Sequence, residues 1–185
     1  GYATGAASGP TVCLHTYPLP FRLWDEKYRT GQVLRTTAIG QVPPDCWPPA
    51  LKCRSRMHYY LADRLAAMAE AGARALLLDH QGWVSEASTA NLILYNREEG
   101  LVSPPASKVL QGISLAVACE LARQLDIPSG HRELTTEDVT SADEAFLTST
   151  PLCLLPVTRV DGRPIGCGAP GDAFRRVLSA WSEMV

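Results

Sequence analysis

The chain has 185 residues, 46% hydrophobic and 19% charged, a composition that suits a globular domain with a real core and excludes a disordered one. A formal net charge of −2 without a basic block argues against nucleic acid as a partner. No apolar run approaches the ~18 residues of a membrane span, so no membrane is expected either.

Six cysteines, Cys13, Cys46, Cys53, Cys119, Cys153 and Cys167, include no Cys-x-x-Cys pair and mostly have apolar neighbours. They read as reduced thiols in the core of a cytoplasmic protein, with no metal expected. The opening Gly1-Tyr2-Ala3-Thr4-Gly5 has no Met, basic region or apolar signal core, and the chain is expected to start inside a longer protein.

Residues 1–10 read as a loop and Thr11 to Tyr17 as a strand, ended by Pro18-Leu19-Pro20. Residues 21–50 read as irregular, and the four prolines between Pro43 and Pro49 mark a linker or domain edge. Beyond Lys52, the apolar residues Met57, Leu61, Leu65 and Met68 fall on one face of a helix that Gly72 can end. Arg74 to Asp79, Trp83 to Ser88 and Asn91 to Tyr95 predict three strands, with a tight turn at His80-Gln81-Gly82. Pro104-Pro105 interrupts the sheet pattern, and a helix follows from Ile113 to Leu125, stopped before Pro128. Thr136-Glu137-Asp138 has the chemistry of a short helix start. Strands at Glu144 to Ser149 and Leu154 to Val160 lead to a hairpin turn at Asp161-Gly162. A last helix opens near Pro170 and buries Phe174, Val177, Leu178 and Trp181. Without βαβα alternation or a G-x-G-x-x-G motif, a dinucleotide-binding fold is excluded.

Only three lysines stand against fourteen arginines. An amine nucleophile must therefore be Lys27, in a polar run, Lys108, near a loop, or Lys52. Lys52 lies between an apolar pair and the amphipathic helix, where it is either solvated or part-buried and activated. Glu86 shares a predicted strand face with Val84 and Ser88, so it needs a partner, in an ion pair or in a site. Gly112-Ile113-Ser114 opens a helix whose free N–H groups favour an anion, or is a plain cap. Thr148-Ser149-Thr150 ends a strand with clustered hydroxyls suited to phosphate or carboxylate, or to a turn. No histidine pair has metal spacing; His15, His58, His80 and His131 read as polar-face or turn residues.

Taken together, Lys52 with its helix, LLLDHQGWVSEASTANLILYN, LVSPPASKVLQGIS and SADEAFLTSTPLCLLPVTRVDGRPIG resemble the class IV aminotransferase family, over about residues 45–185. The resemblance implies an α/β (α+β) fold of the D-amino acid aminotransferase-like type, fold type IV. Residues 23–185 would be the large C-terminal domain, which binds pyridoxal 5′-phosphate. Residues 1–22 would be the end of a small N-terminal domain and the interdomain connection. It also implies that Lys52 carries the cofactor as an internal aldimine and moves the proton at substrate Cα, while Glu86 pairs with the ring nitrogen. Gly112, Ile113 and Ser114 would hold the phosphate, with Ser149 and Thr150 as a second contact and Asn91 in support.

The implied activity moves the amino group of a branched-chain or similar amino acid to a 2-oxo acid, in a cytoplasmic homodimer. A deoxychorismate lyase using the same carbanion, or a non-catalytic fragment, are the alternatives. Several residues depart from the family pattern. Pro151 stands where relatives offer an N–H to the substrate carboxylate, and Met57 where branched-chain enzymes place Tyr. Arg56 matches the lyase pattern K-x-x-N-R-L, with Ser55 for its Asn. No counterpart of the small domain's phosphate-gripping arginine is found.

Overall fold

The computed structural model describes residues 12–185; the loop expected over residues 1–10, and Thr11, lie outside them. The elements run α1 (Arg22–Thr30), β1 (Gln32–Thr36), α2 (Met57–Ala69), β2 (Arg74–Leu78), β3 (Val84–Ala87), β4 (Asn91–Asn96) and β5 (Gly100–Ser103). They continue with α3 (Ile113–Gln124), β6 (Ser129–His131), α4 (Thr136–Ser141), β7 (Glu144–Ser149), β8 (Cys153–Val160), β9 (Arg163–Pro164) and α5 (Asp172–Met184).

The nine strands among the described residues form one sheet, ordered β3-β2-β1-β8-β7-β4-β5-β6, with β9 on β8. β1 lies parallel to β2 and β8, and β6 parallel to β5; the other pairs are antiparallel. β3 opens this order and β4 stands several strands away, yet only Ser88, Thr89 and Ala90 connect them and Ala87 bridges Ala90. The sheet must therefore curl until its β3 edge meets the start of β4. The curl encloses a core of Leu34, Leu76, Leu92, Leu94, Leu147 and Leu155, all fully buried. A second core, around Ile93, Leu121, Phe146 and Trp181, lies where α3 and α5 cover the sheet.

Two expectations are corrected. Val12 to Tyr17 form no strand: Val12, Leu14 and Tyr17 are exposed, and an apolar alternation without a partner strand has no ladder to join. The segment read as irregular contains α1 and β1. Trp24 and Tyr28 of α1 pack on the core, and the Tyr28 hydroxyl donates to the Leu152 carbonyl. α1 stops at Gly31, whose φ is 81° and where a Cβ would come within 2.2 Å of Thr158, so only glycine fits this turn into β1. The apolar stripe of α2 faces outward. Met57, Leu61, Leu65 and Met68 are exposed, while Ala62 and Ala66 are buried against Ala73, Ala75 and Leu77. Small residues let the helix approach the sheet closely, leaving no room for the larger stripe beneath it.

Of the six cysteines, Cys119 and Cys153 pack against the second core and none is fully buried. Cys13, Cys46 and Cys167 are exposed, the other three half-buried, and all six are free thiols. No helix among the described residues is long and apolar enough to cross a membrane.

Candidate active site

A cavity of about 480 Å³ opens where the N-terminal ends of α2 and α3 meet β3, the start of β4 and the end of β7. Lys52, Glu86, Asn91, Gly112, Ile113, Ser114, Ser149 and Thr150 all line it. The other two lysines do not. Lys108 is paired with Asp79 at 3.1 Å and Glu133 at 2.6 Å, and Lys27 sits on α1.

The wall from β3 and β4 is held by the sheet. Glu86 is 4% exposed. It has no cation partner but two donors on Oε1: Gln41 Nε2 at 2.6 Å and the Tyr59 hydroxyl at 2.5 Å. Burial pushes its carboxyl above the ordinary value, and the bonds from Tyr59, Gln41 and the Leu110 N–H pull the other way. Asn91, expected to support the site, spends its amide on the Leu110 carbonyl at 2.7 Å. Its Oδ1 occupies the space a Cβ on residue 112 would fill, 2.2 Å from that position. The glycine is thus required by close approach, since its φ of −73° suits any residue. Ser85 Oγ donates to the Lys108 carbonyl at 3.1 Å, so the segment leading into α3 is tied to both β3 and β4.

α3 begins at Gly112 with no side-chain cap, which leaves its first N–H groups free at the cavity. Ser114 is buried beside them. Across from Asn91 in the β4–β7 register stands Thr148, 1% exposed, whose Oγ1 is buried without a hydrogen-bond partner and which also lines the cavity. Ser149 is half-buried and Thr150 exposed at the rim. Uncapped helix N–H groups, a buried serine and an orphaned threonine hydroxyl form a donor set suited to an anion.

The opposite wall comes from the proline-rich stretch and the start of α2. Lys52 lies in the loop before α2 and is exposed, the solvated one of its two readings: the flanking apolar residue Leu51 is itself 55% exposed and does not cover it. Trp47, Pro49 and Leu51 make this side apolar. His58, read from sequence as a polar-face residue, lines it with Nε2 buried and unpartnered; burial lowers its pKa, favouring the neutral ring. Arg56 adds a positive charge to the lining. Sequence reasoning missed Gln41, Trp47 and Tyr59. The first two lie in a segment with no periodicity, and Tyr59 lies off the helix stripe that drew attention.

Residues 2–160 match the amino-transferase class IV family. The D-alanine aminotransferase of Bacillus licheniformis is 31% identical over 181 residues, covering 98% of this chain and 61% of that protein. Among solved structures, the branched-chain amino acid aminotransferase of Escherichia coli superposes with a TM-score of 0.85 at 26% identity, covering 91% of this chain and 55% of that one. The branched-chain enzyme of Thermobaculum terrenum, in its PLP-bound holo form, gives 0.79 at 25% identity, covering 88% and 52%. The chain thus spans between half and two thirds of these relatives. It belongs to the class IV aminotransferases, a pyridoxal-phosphate-dependent family of fold type IV.

Proposed function

We propose that residues 23–185 are the large, cofactor-binding domain of an enzyme that moves the amino group of an amino acid to a 2-oxo acid, with residues 1–22 ending a smaller N-terminal domain and the connection to it. The observation that carries this reading is that Lys52, Glu86, Ser114 and Thr150, from four separate segments, line one cavity.

The cavity suits pyridoxal 5′-phosphate in volume and in chemistry: an uncapped helix start and the buried, unpartnered Thr148 Oγ1 fit the phosphate, and a buried carboxylate fits the ring nitrogen. When bound, the cofactor supplies an electron-withdrawing ring that stabilises negative charge at substrate Cα. The N–H groups at Gly112–Ser114, with the hydroxyls of Ser114, Thr148, Ser149 and Thr150, would hold the phosphate. Glu86 would keep a proton on the ring nitrogen through its free oxygen. Asn91 acts behind this set, fixing Leu110 and Gly112. The Lys52 amine would hold the cofactor and, when released, take the proton from Cα of the amino donor and, in the second half of the exchange, deliver one to Cα of the amino acid formed from the 2-oxo acid. Its position in a loop leaves that amine room to swing between the two tasks.

The apolar side of the cavity, with Trp47, Pro49 and Leu51, supports an amino acid with an apolar side chain, branched or similar. Relatives named branched-chain and D-alanine aminotransferases favour transfer over elimination. The exposed stripe Met57, Leu61, Leu65 and Met68 supports a homodimer, since apolar side chains repeated along one helix face gain by being covered. The reduced thiols are consistent with a cytoplasmic setting.

The deciding experiment loads the full-length protein with pyridoxal 5′-phosphate, reduces it with borohydride and maps the adduct by mass spectrometry. In separate, unreduced protein, transfer to 2-oxoglutarate is assayed beside pyruvate release. An adduct on Lys52 with amino transfer is expected. An adduct elsewhere overturns the assignment, and pyruvate release without transfer makes it a lyase. Sedimentation at micromolar concentration tests the dimer.

A further inference from the structure

Glu86 receives both of its side-chain hydrogen bonds on the same oxygen. Gln41 Nε2 and the Tyr59 hydroxyl each reach Oε1, and no side chain among the described residues donates to Oε2. Each donor is itself constrained. The Gln41 carbonyl oxygen accepts from the Val42 N–H at 2.9 Å, which turns the amide nitrogen toward Glu86, and the Gln41 N–H donates to the Leu78 carbonyl at 2.8 Å. Tyr59 sits in the first turn of α2, which is fastened one turn later. Asp63 Oδ1 accepts from the Ala75 N–H at 2.9 Å and from Ser88 Oγ at 2.6 Å, pinning the helix to β2 and to the end of β3. Gln41 Nε2 also approaches the Tyr59 oxygen at 3.4 Å, closing a triangle of the three side chains.

We propose that Tyr59 and Gln41 form a clamp on Oε1 of Glu86, which aims the other oxygen into the cavity; both are positioning residues for that carboxylate. The inference rests on the reading of Glu86 as the partner of the cofactor's ring nitrogen. A carboxylate on a strand can rotate about its terminal bond, and two fixed donors on one oxygen remove that freedom. They also offset part of the cost of keeping a charge in a buried place. The titratable and charged neighbours are few: Arg56, His58 and Tyr59 from the start of α2, with Lys52 on the same cavity. Burial, and next the Glu86 charge, raise the Tyr59 phenol far above its ordinary value, so it remains a donor throughout the accessible pH range. The donated proton stays on Tyr59, and the carboxylate can keep its charge for the cavity. Nothing in the sequence marks this partnership, because Gln41, Tyr59 and Glu86 lie on three separate segments.

The test uses Tyr59→Phe, which keeps the ring, and Gln41→Met, which keeps the volume. In the cofactor-free full-length protein, the Glu86 carboxyl is titrated by carbon NMR, assigned by its loss in Glu86→Gln. Each substitution is expected to move its midpoint upward, the double variant furthest. Pyridoxal 5′-phosphate affinity should fall about tenfold per lost bond, the effect of one hydrogen bond to a charged group. A purely structural role for Tyr59 would lower thermal stability and leave the midpoint where it was; that result overturns the clamp. Should either variant fail to fold, the other decides. If the midpoint moves but affinity is unchanged in both variants and in Glu86→Gln, the reading of Glu86 is wrong and the aiming function falls with it.

Discussion

The two walls of the cavity are built differently. On one side, Glu86, Asn91, Ser114 and Thr148 are buried, set by the β4–β7 register, by bonds from Gln41 and Tyr59 to Glu86 and by the bond from Asn91 to the Leu110 carbonyl. On the other, Lys52 is exposed in a loop that follows the prolines and is shaped by short turns such as Leu51 N–H to Pro48 O and Cys53 N–H to Leu51 O. A surface that recognises a fixed anion and a ring nitrogen gains from being preorganised, since no reorganisation is then needed on binding. An amine that must both hold a cofactor and move a proton gains from freedom. On the proposed function, the difference gives chemistry to one wall and recognition to the other.

That division can be broken most sharply at Lys52. Lys52→Ala is expected to abolish the borohydride-trapped adduct and reduce amino transfer about 1,000-fold or more, within the range for loss of a general base or nucleophile. Stability should change by less than about 0.5 kcal/mol, as for other exposed sites. A surviving adduct, or a large loss of stability by urea unfolding, would merge the two walls into one.

Glu86→Gln should still take up the cofactor, at lowered affinity, and lower kcat by at least about tenfold, roughly 1.4 kcal/mol in the barrier. The same variant carries a pH signature without cofactor. Burial raises the Glu86 carboxyl in the folded state, so its contribution to stability is complete below the unfolded value, roughly pH 4, and is lost as pH rises through the folded value. Between acid and neutral pH the parent should therefore lose stability relative to Glu86→Gln. Urea midpoints that run parallel across that range would contradict the raised value.

Gly112→Ala probes recognition through backbone spacing alone. The added Cβ would meet Asn91 Oδ1 at 2.2 Å, forcing Asn91 away from Leu110, at a cost of about 1–3 kcal/mol for overpacking. Cofactor affinity should fall along with stability. An alanine tolerated without loss would show that the α3 entry is not rigid.

The smallest effect is expected at Lys108→Met. Its ion pairs with Asp79 and Glu133 tie the segment before α3 to the β2–β3 turn and to the β6–α4 loop, but the lysine side chain is 24% exposed and such pairs contribute about 0.2–1 kcal/mol. Activity should hardly change, because Ser85 and Asn91 grip that segment through backbone carbonyls. A loss exceeding that of Gly112→Ala would move the strap into the recognition wall.

Several features were determined by local sequence. The strands β2, β3, β4, β7 and β8 and the helices α3 and α5 follow from apolar period and turn chemistry, which act within a few residues. The lysine shortage singled out Lys52, and the motif order named the other lining residues before any fold was known. Tertiary structure decided the rest. α1 and β1 form from a segment without clear periodicity because Trp24 and Tyr28 find the core and Gly31 finds Thr158. α2 turned its alanines inward because only small side chains fit against β2, which no helical period can foretell. The strand expected at Val12 to Tyr17 did not form, since pairing needs a partner that propensity does not supply. Glu86 acquired Gln41 and Tyr59, and Thr148 lost any partner, through the curling of the sheet. These are contacts between segments far apart in the chain, and long-range proximity leaves no periodic trace in a single sequence.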